Sequence, residues 1–442
     1  MSAALAVVIL AAGKGVRMKS ALPKVLHAVG GQPMLAHVLA TARAMAAEKI
    51  VVVTAEDATG VAALAAKWNA QSVIQKSQLG TGHAVMAAES ALKNFSGTVL
   101  VLFGDAPLVT TATLQKLVAR LGATDIAALG FRPADPTGYG RMVIKGDALE
   151  RIVEHKDASE EERRIGLCFA GPLAGKASTV FELLRAIDNR NAQGEYYLTD
   201  LITAAKQKGL RCTFAEADEK ETLGVNSRND LASAEAAFQE RRRRELMEAG
   251  VTFTDPATVY LSADTKIEAD TTIGPFVVFG LGVTVRAGAE IRAFCHIEGA
   301  EVGAGAIVGP FARLRPGAVL EEGVHIGNFV EVKNTRVEKG AKANHLAYLG
   351  DARVGAGSNI GAGTITCNYD GYNKTKTDIG KNVFVGSNAT LVAPLKIGDG
   401  AYVAAGSVVT KDVEGDAMAF GRARQETKPG RAKEFRTKKA KK

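Results

Sequence analysis

The sequence predicts an α/β domain with a mostly parallel sheet (residues 1–227), a linker helix (228–250) and a parallel β-helix ending in a basic tail (251–442). Three observations predict it. Apolar runs alternate with helically spaced stretches in the first half, residues 228–249 contain neither Gly nor Pro, and from Ile267 apolar residues recur at every sixth position.

In the first part, Leu5–Leu10, Ile50–Thr54, Thr98–Phe103 and Ile126–Phe131 read as strands buried on both faces. Met34–Ala47, Gly82–Leu92 and Thr110–Leu121 carry helical spacing between them. Such alternation predicts helices on both sides of a parallel sheet, and ligands of such sheets sit at the carboxyl ends of the strands. The run RNDLASAEAAFQERRRRELMEA reads as one helix, with Asn226 or Ser227 near its cap and Gly250 just past its end. Its Arg241–Arg244 segment reads as a solvated face rather than a phosphate site.

The six-residue spacing runs through Ile267, Ile273, Phe279, Val285, Ile291 and Ile297, slips by one, and resumes at Val308, Leu314, Leu320, Ile326 and Val332. It returns at Ile379, Val385, Leu391, Ile397, Val403 and Val409. All seventeen positions are apolar although such residues are only 47% of the chain, so composition does not explain the period. It is the signature of a hexapeptide β-helix, in which each short strand points one apolar residue into a prism-shaped core. Gly follows at 274, 280, 309, 327, 380, 386 and 398, which predicts turn conformations closed to other residues. Between Thr366 and Ile379, CNYDGYNKTKTD is too long for one repeat. A solenoid expels such an insertion as a surface loop, where function concentrates.

Composition narrows the function. The formal charge of +8 resides in Arg422–Lys442, where ten basic residues face only Glu426 and Glu434, so residues 1–421 are balanced. A basic end with one aromatic, Phe435, reads as a solvated tail and argues against nucleic acid, while suiting an anionic ligand. Cys168, Cys212, Cys295 and Cys367 form no C-x-x-C pair and the histidines show no H-x-x-x-H spacing, which predicts a reduced compartment without a zinc cluster. The apolar opening Ala3–Ala12 lacks a basic n-region and reads as a strand rather than a signal peptide. No run reaches the length of a membrane span. A cytoplasmic protein is expected.

The first strand ends in LAAGKGVRM (residues 10–18), followed by Pro23-Lys24. Gly13 and Gly15 let the backbone approach a ligand, and Lys14, Arg17 and Lys24 bring cations to the same mouth, a combination that predicts phosphate binding. It is neither a P-loop nor G-x-G-x-x-G. Thr98–Phe103 finishes in Gly104-Asp105, where the carboxylate is either a metal ligand or a helix cap. Gln75 with QLGTGHA, Thr137-Gly-Tyr-Gly140-Arg and Glu154-His155-Lys156 read as further ligand loops. In the repeat region, Leu314-Arg315-Pro-Gly, Glu331-Val-Lys333, Asn344-His345-Leu-Ala-Tyr348-Leu-Gly-Asp351 and Asn359-Ile-Gly-Ala362 interrupt the apolar pattern with charged or polar side chains.

Together, LAAGKGVRM, Pro23-Lys24, Gln75 with QLGTGHA, Gly104-Asp105, PTGYGR, VEHKD, NAQGEYYLTD and the GVN at 224–226 resemble the sugar-phosphate nucleotidylyltransferases. With the hexapeptide region the chain is similar, nearly end to end, to the bacterial bifunctional N-acetylglucosamine-1-phosphate uridylyltransferase/glucosamine-1-phosphate N-acetyltransferase family. The resemblance implies a Rossmann-like nucleotidyltransferase domain, a linker helix and a left-handed parallel β-helix. It implies UTP and acetyl-CoA as co-substrates, Mg²⁺ as cofactor and a homotrimer with acetyl-transfer sites between neighbouring prisms.

Residue by residue, the resemblance implies Asp105 and Asn226 as Mg²⁺ ligands, and Arg17 and Lys24 as cations at the reacting phosphorus. Leu10, Ala11, Ala12, Gly13, Lys24, Gln75, Gly80, Thr81, Phe103, Gly104, Asp105, Gly140, Glu154 and Asn226 would bind UTP or the UDP-sugar. In the second domain it implies His345 as the base that takes a proton from the amino sugar, with Arg315, Lys333, Tyr348 and Asn359 binding the amino-sugar phosphate. Ala362, Asn368, Tyr369, Ser387, Ala405 and Arg422 would line the acetyl-CoA groove. The sequence departs from the family at Phe103, where a Tyr is usual, and at Phe169-Ala170, where the family has Asn-Thr and the Asn contacts the sugar nucleotide. Phe169 cannot make that hydrogen bond, so a weakened uridylyl site is expected. The expected activity is two-step synthesis of UDP-N-acetylglucosamine, feeding peptidoglycan and lipopolysaccharide. The alternatives are a single-activity nucleotidylyltransferase with a structural or regulatory β-helix, and a non-catalytic scaffold.

Overall fold

The computed structural model describes residues 4–440; Met1–Ala3 and the last two tail lysines lie outside the described residues. The chain divides into two compact units, one ending at Arg241 and the other beginning at Arg242.

In the first unit, one sheet runs in the order Cys212–Ala217, Ile126–Phe131, Cys168–Lys176, Thr98–Phe103, Leu5–Leu10, Lys49–Thr54, Gln71–Ile74. Alternate residues of the central strands enter two separate cores: Val7, Ile9 and Leu100 on one face, Val8, Val99 and Val101 on the other. That is why these strands read as continuous apolar runs. The sheet is parallel except for Cys168–Lys176, which runs antiparallel to both neighbours, and the hairpin of Arg141–Lys145 with Ala148–Val153. The helices are shorter than their apolar spacing suggests: Met34–Ala44, Thr81–Ala87 and Thr111–Ala119. Thr110 is the cap of the last of these, its side chain accepting from the Thr113 N–H.

The division between units falls inside the helix Arg228–Glu248. Ser227 caps it: its hydroxyl accepts from the Asp230 N–H, and the Asp230 carboxylate accepts from the N–H groups of Asn226 and Ser227. The arginine run is not a solvated face. Arg241 donates to the Leu108 carbonyl in the first unit, while Arg242 and Arg243 donate to the carbonyls of Thr265 and Val259 in the second. Backbone carbonyls without other partners attract guanidinium groups, and sequence spacing gives no sign of them.

The second unit is a left-handed parallel β-helix whose three faces are sheets of ten, eight and eight short parallel strands. All seventeen residues of the six-residue spacing lie in one continuous core. The lapse in spacing after Val332 is no lapse in the fold. The inward positions there are Val337, Ala343, Leu349, Val354, Ile360 and Thr366, and the Thr366 hydroxyl donates to the Gly350 carbonyl. The glycines after the inward residues have a different cause from the one expected. Of the seven, only Gly309 has a positive φ. The others are places where the next coil presses on the backbone: a Cβ on Gly327 would stand 1.9 Å from the Asn344 carbonyl oxygen. Left-handed backbone occurs instead at the corners, including Phe276, Phe294, Phe311, Phe329 and Leu346. The four phenylalanine rings stack with centroids 4.8–5.1 Å apart. Stacking of this kind offsets part of the roughly 1–2 kcal/mol that left-handed backbone costs an L-residue.

The inward/outward division sets a clear expectation for stability. Ile273→Ala, at a fully buried inward position, destabilises the β-helix by about 2–5 kcal/mol. Its exposed neighbour Thr272→Ala changes stability by less than about 0.5 kcal/mol. Urea unfolding followed by circular dichroism measures both.

Candidate functional site

Leu5–Leu10 pairs with Lys49–Thr54 on one side and Thr98–Phe103 on the other, with Leu10 beside Phe103. The segments leaving these two strands therefore emerge side by side, where chain order reverses across the sheet. Leu10, Ala11, Ala12, Gly13, Lys24, Gln75, Gly80, Thr81, Phe103 and Asp105 line one cleft of about 260 Å³ there. Gly104 backs it, its N–H donating to the Leu10 carbonyl. Gly15 is the glycine on which the mouth depends: at φ 59°, a Cβ would lie 2.7 Å from the Lys24 Cβ. Gly80, at φ 107°, lies against the Tyr196 carbonyl at 2.6 Å from a Cβ position. The buried Gln75 donates to the Gly80 carbonyl and meets His83, and the Thr81 hydroxyl accepts from the Leu198 N–H.

The Lys24 ammonium lies between Asp105, with which it forms an ion pair, and the Asn226 Oδ1 at 3.0 Å. Two hard oxygen donors, 121 residues apart in sequence, thus converge on one cation, and such a donor set fits Mg²⁺. Among the described residues no group of three or more His, Cys, Asp or Glu could hold a metal. Arg17 is exposed on the short turn Val16–Met18, outside the cleft lining. Gly140 and Glu154 sit together, also outside that lining: a Cβ on Gly140 would be 3.6 Å from the Glu154 carboxylate. Burial pushes the Glu154 carboxyl above its usual range, although the Thr199 hydroxyl donates to it at 2.9 Å. The Phe169 ring packs into the core on one sheet face, and its N–H donates to the Gly140 carbonyl. Gln78, the first residue of QLGTGHA, donates to the Ala12 carbonyl at 2.6 Å, and it lines the cleft together with Glu195 of NAQGEYYLTD.

In the second unit, His345 closes the strand Lys342–His345, one coil beyond Asn328 in direct register. The His345 Nδ1–H donates to the Asn328 Oδ1 at 2.8 Å, leaving Nε2 with its lone pair. Successive coils continue the same edge. The Gly363 N–H donates to the His345 carbonyl, the Asn388 N–H to Ala362, and the Gly406 N–H to Ser387. His345, Ala362, Ser387 and Ala405 thus form one column, with Arg422 packed near Gly406. Asn359 lies on the same face as His345, one strand further along.

Arg315, Lys333 and Tyr348 lie on the next face. Their intervening neighbours Leu314, Val332 and Leu349 are fully buried, so these three point outward. The Arg315 Nη1 pairs with Glu331 at 2.8 Å. Asn368 and Tyr369 leave the prism at the far edge of that face, away from the His345 column. The Asn368 amide is not free to meet a coenzyme: it is buried and donates to Asp351. All four cysteines are free, and burial pushes the thiols of Cys212 and Cys295 up to about 12 and about 11, as suits core residues. No helix among the described residues is long and apolar enough to cross a membrane.

Residues 7–167 match the MobA-like NTP transferase domain family and residues 376–411 the bacterial transferase hexapeptide (six repeats) family. Bifunctional protein GlmU of Paramagnetospirillum magneticum is 53% identical, with 99% of this chain and 98% of that protein covered. The chain belongs to the bifunctional GlmU family. The GlmU proteins of Paracoccus denitrificans and Zymomonas mobilis are 54% and 49% identical, covering 97% and 98% of this chain and 96% and 98% of their own. Membership makes this chain a bifunctional enzyme of UDP-N-acetylglucosamine synthesis, a nucleotidyltransferase and an acetyltransferase.

Asn328→Ala, which removes the partner of the His345 ring, is expected to lower kcat of acetyl transfer about tenfold. Uridylyl transfer stays unchanged. Steady-state assays of both reactions on one preparation check this.

Proposed function

We propose that the second unit acetylates glucosamine-1-phosphate from acetyl-CoA and that the first unit then joins N-acetylglucosamine-1-phosphate to UTP. The observation that carries this reading is the presence, in one chain, of the phosphate mouth around Lys24 and the edge column that begins at His345.

At the edge column, His345 Nε2 takes the proton of the amino-sugar ammonium, since only a neutral amine attacks a thioester. The amine nitrogen bonds to the acetyl carbon and the C–S bond breaks; the coenzyme thiolate leaves with the proton returned from His345, and the surplus proton on the nitrogen passes to water. Arg315 and Lys333 bind the sugar phosphate, with Tyr348 and Asn359 at the sugar. Ala362, Ser387, Ala405 and Arg422 line the coenzyme groove, and Tyr369 reaches it from the expelled loop. The His345 column and Asn368–Tyr369 occupy different edges of one prism, which supports a homotrimer in which the edge of one copy meets that of the next.

In the first unit, a sugar-1-phosphate oxygen bonds to the α-phosphorus of UTP and the bond to pyrophosphate breaks. The nucleophile is already anionic, so the chain's task is positioning and charge. Lys24 faces the reacting phosphate from within the cleft and Arg17 approaches it from the exposed turn at the mouth, while the loop from Leu10 to Gly13 follows the nucleotide. Gln75, Gly80 and Thr81 are at the base, Phe103 packs at the cleft floor, and Gly140 and Glu154 serve the sugar. Asp105 and Asn226 would hold Mg²⁺, which when bound neutralises phosphate oxygens. The reactions take place in the cytoplasm.

His345→Ala lowers acetyl transfer by at least about a hundredfold while pyrophosphate release from UTP and N-acetylglucosamine-1-phosphate persists. Lys24→Ala does the reverse, and loss of both activities in either variant overturns the two-site assignment. Phe169→Asn lowers the KM for N-acetylglucosamine-1-phosphate about two- to tenfold, the worth of one regained hydrogen bond. A raised KM in that variant would show that the ring itself serves the sugar.

A further inference from the structure

Lys333 and the expelled loop share one edge of the prism, and a buried carboxylate lies between them. Asp351, 7% exposed, forms the corner after the strand Tyr348–Gly350. Its Oδ1 accepts from the Asn334 amide at 2.6 Å and its Oδ2 from the Asn368 amide at 2.5 Å. These residues belong to three consecutive coils: Asn334 follows Lys333, and Asn368 begins the loop. The backbone repeats the tie. The Asp351 N–H donates to the Lys333 carbonyl at 3.1 Å, and the Thr377 N–H, just past the loop, donates to the Asp351 carbonyl at 3.2 Å. Asp351 therefore holds the loop at both ends, by its side chain at Asn368 and by its backbone at Thr377.

Between those ends the loop folds on itself. The Thr375 N–H donates to the Asn368 carbonyl, and the Asp370 carboxylate accepts from the N–H groups of Tyr372 and Asn373. These bonds tie the loop to itself, so its attachment sets where Tyr369 stands. Corner geometry alone does not require an acid. The corresponding corners of earlier coils are Gly282, Gly299 and Gly317, all left-handed, whereas Asn334 and Asp351 adopt φ of 44° and 49° with side chains that make the turn costlier. A buried carboxylate is expensive unless fully paired. Burial alone would raise the Asp351 carboxyl, but the two amides, with Lys333 and Lys374 nearby, hold it below the usual carboxylate range.

We propose that Asp351 is a positioning residue for acetyl transfer, locking the loop that carries Tyr369 in register with Lys333 so that coenzyme and sugar phosphate are presented from one edge. This rests on the reading of Lys333 and Tyr369 given above. The test uses the full chain, with acetyl-CoA and glucosamine-1-phosphate varied in turn and uridylyl transfer measured on the same preparation. Asp351→Asn raises the KM for acetyl-CoA about tenfold, as loss of one charged hydrogen bond would, with kcat changed less than twofold and uridylyl transfer unchanged. Asn368→Ala does the same, and the double variant is no worse than either single one, because both act through one contact. Should Asp351→Asn prove insoluble, Asn368→Ala carries the test alone. An unchanged KM for acetyl-CoA overturns the proposal. So do effects of the two variants that multiply, or a parallel fall in kcat and thermal stability that marks a merely structural corner. Acetyl transfer that survives His345→Ala defeats the site reading instead, whereas a dead His345→Ala beside a normal Asp351→Asn defeats only the positioning role.

Discussion

Parallel register decides which side chains stand together in both units. In the first, Leu10 opposite Phe103 makes the glycine loop and the Gly104-Asp105 turn neighbours. In the second, Asn328 opposite His345 places one coil's amide against the next coil's imidazole. Slipping either pairing by one residue would turn buried side chains outward, so the same apolar packing that stabilises the strands also fixes the chemistry at their ends.

The two units gather their functional groups in different ways. The mouth brings Lys24, Asp105 and Asn226 together from three distant segments, and their meeting depends on the whole sheet and its helices being in place. Lys24 is only partly exposed there, and the ion pair with Asp105 and the contact to Asn226 hold its ammonium at the floor of the cleft. The prism collects its groups at intervals of one coil, so neighbouring functional residues are also neighbours in a simple repeat. The first arrangement suits a ligand enclosed by loops; the second suits a long ligand laid along an edge.

Much of this was legible in the sequence, for identifiable reasons. Strands buried on both faces read directly as Leu5–Leu10, Thr98–Phe103 and Ile126–Phe131, and the inward residues of the prism announced their own period. The direction of Cys168–Lys176 was not legible, because an apolar run looks the same whichever way the strand points. Ala343 and Thr366 hid two coils, since a small or hydroxylated residue can fill an inward position once its polar atom is paired. Gly327 was noticed, but for flexibility, when its reason is contact with the next coil. At the sites, clustered motifs marked the cleft lining well. Isolated polar residues such as Asn328 and Asn334 gave no such sign, although the 17-residue intervals from Asn328 to His345 and from Asn334 to Asp351 equal one coil.

The loop after Cys367 departs at a corner while strands on either side remain paired, Ala352–Val354 with Thr377–Ile379. Its length is therefore decoupled from the rise of the solenoid. Residues can be added or removed there without altering how later coils stack, which makes this corner a natural port for diversification. Side chains of the outer segment can change while the hydrogen-bonded shaft beneath them stays constant.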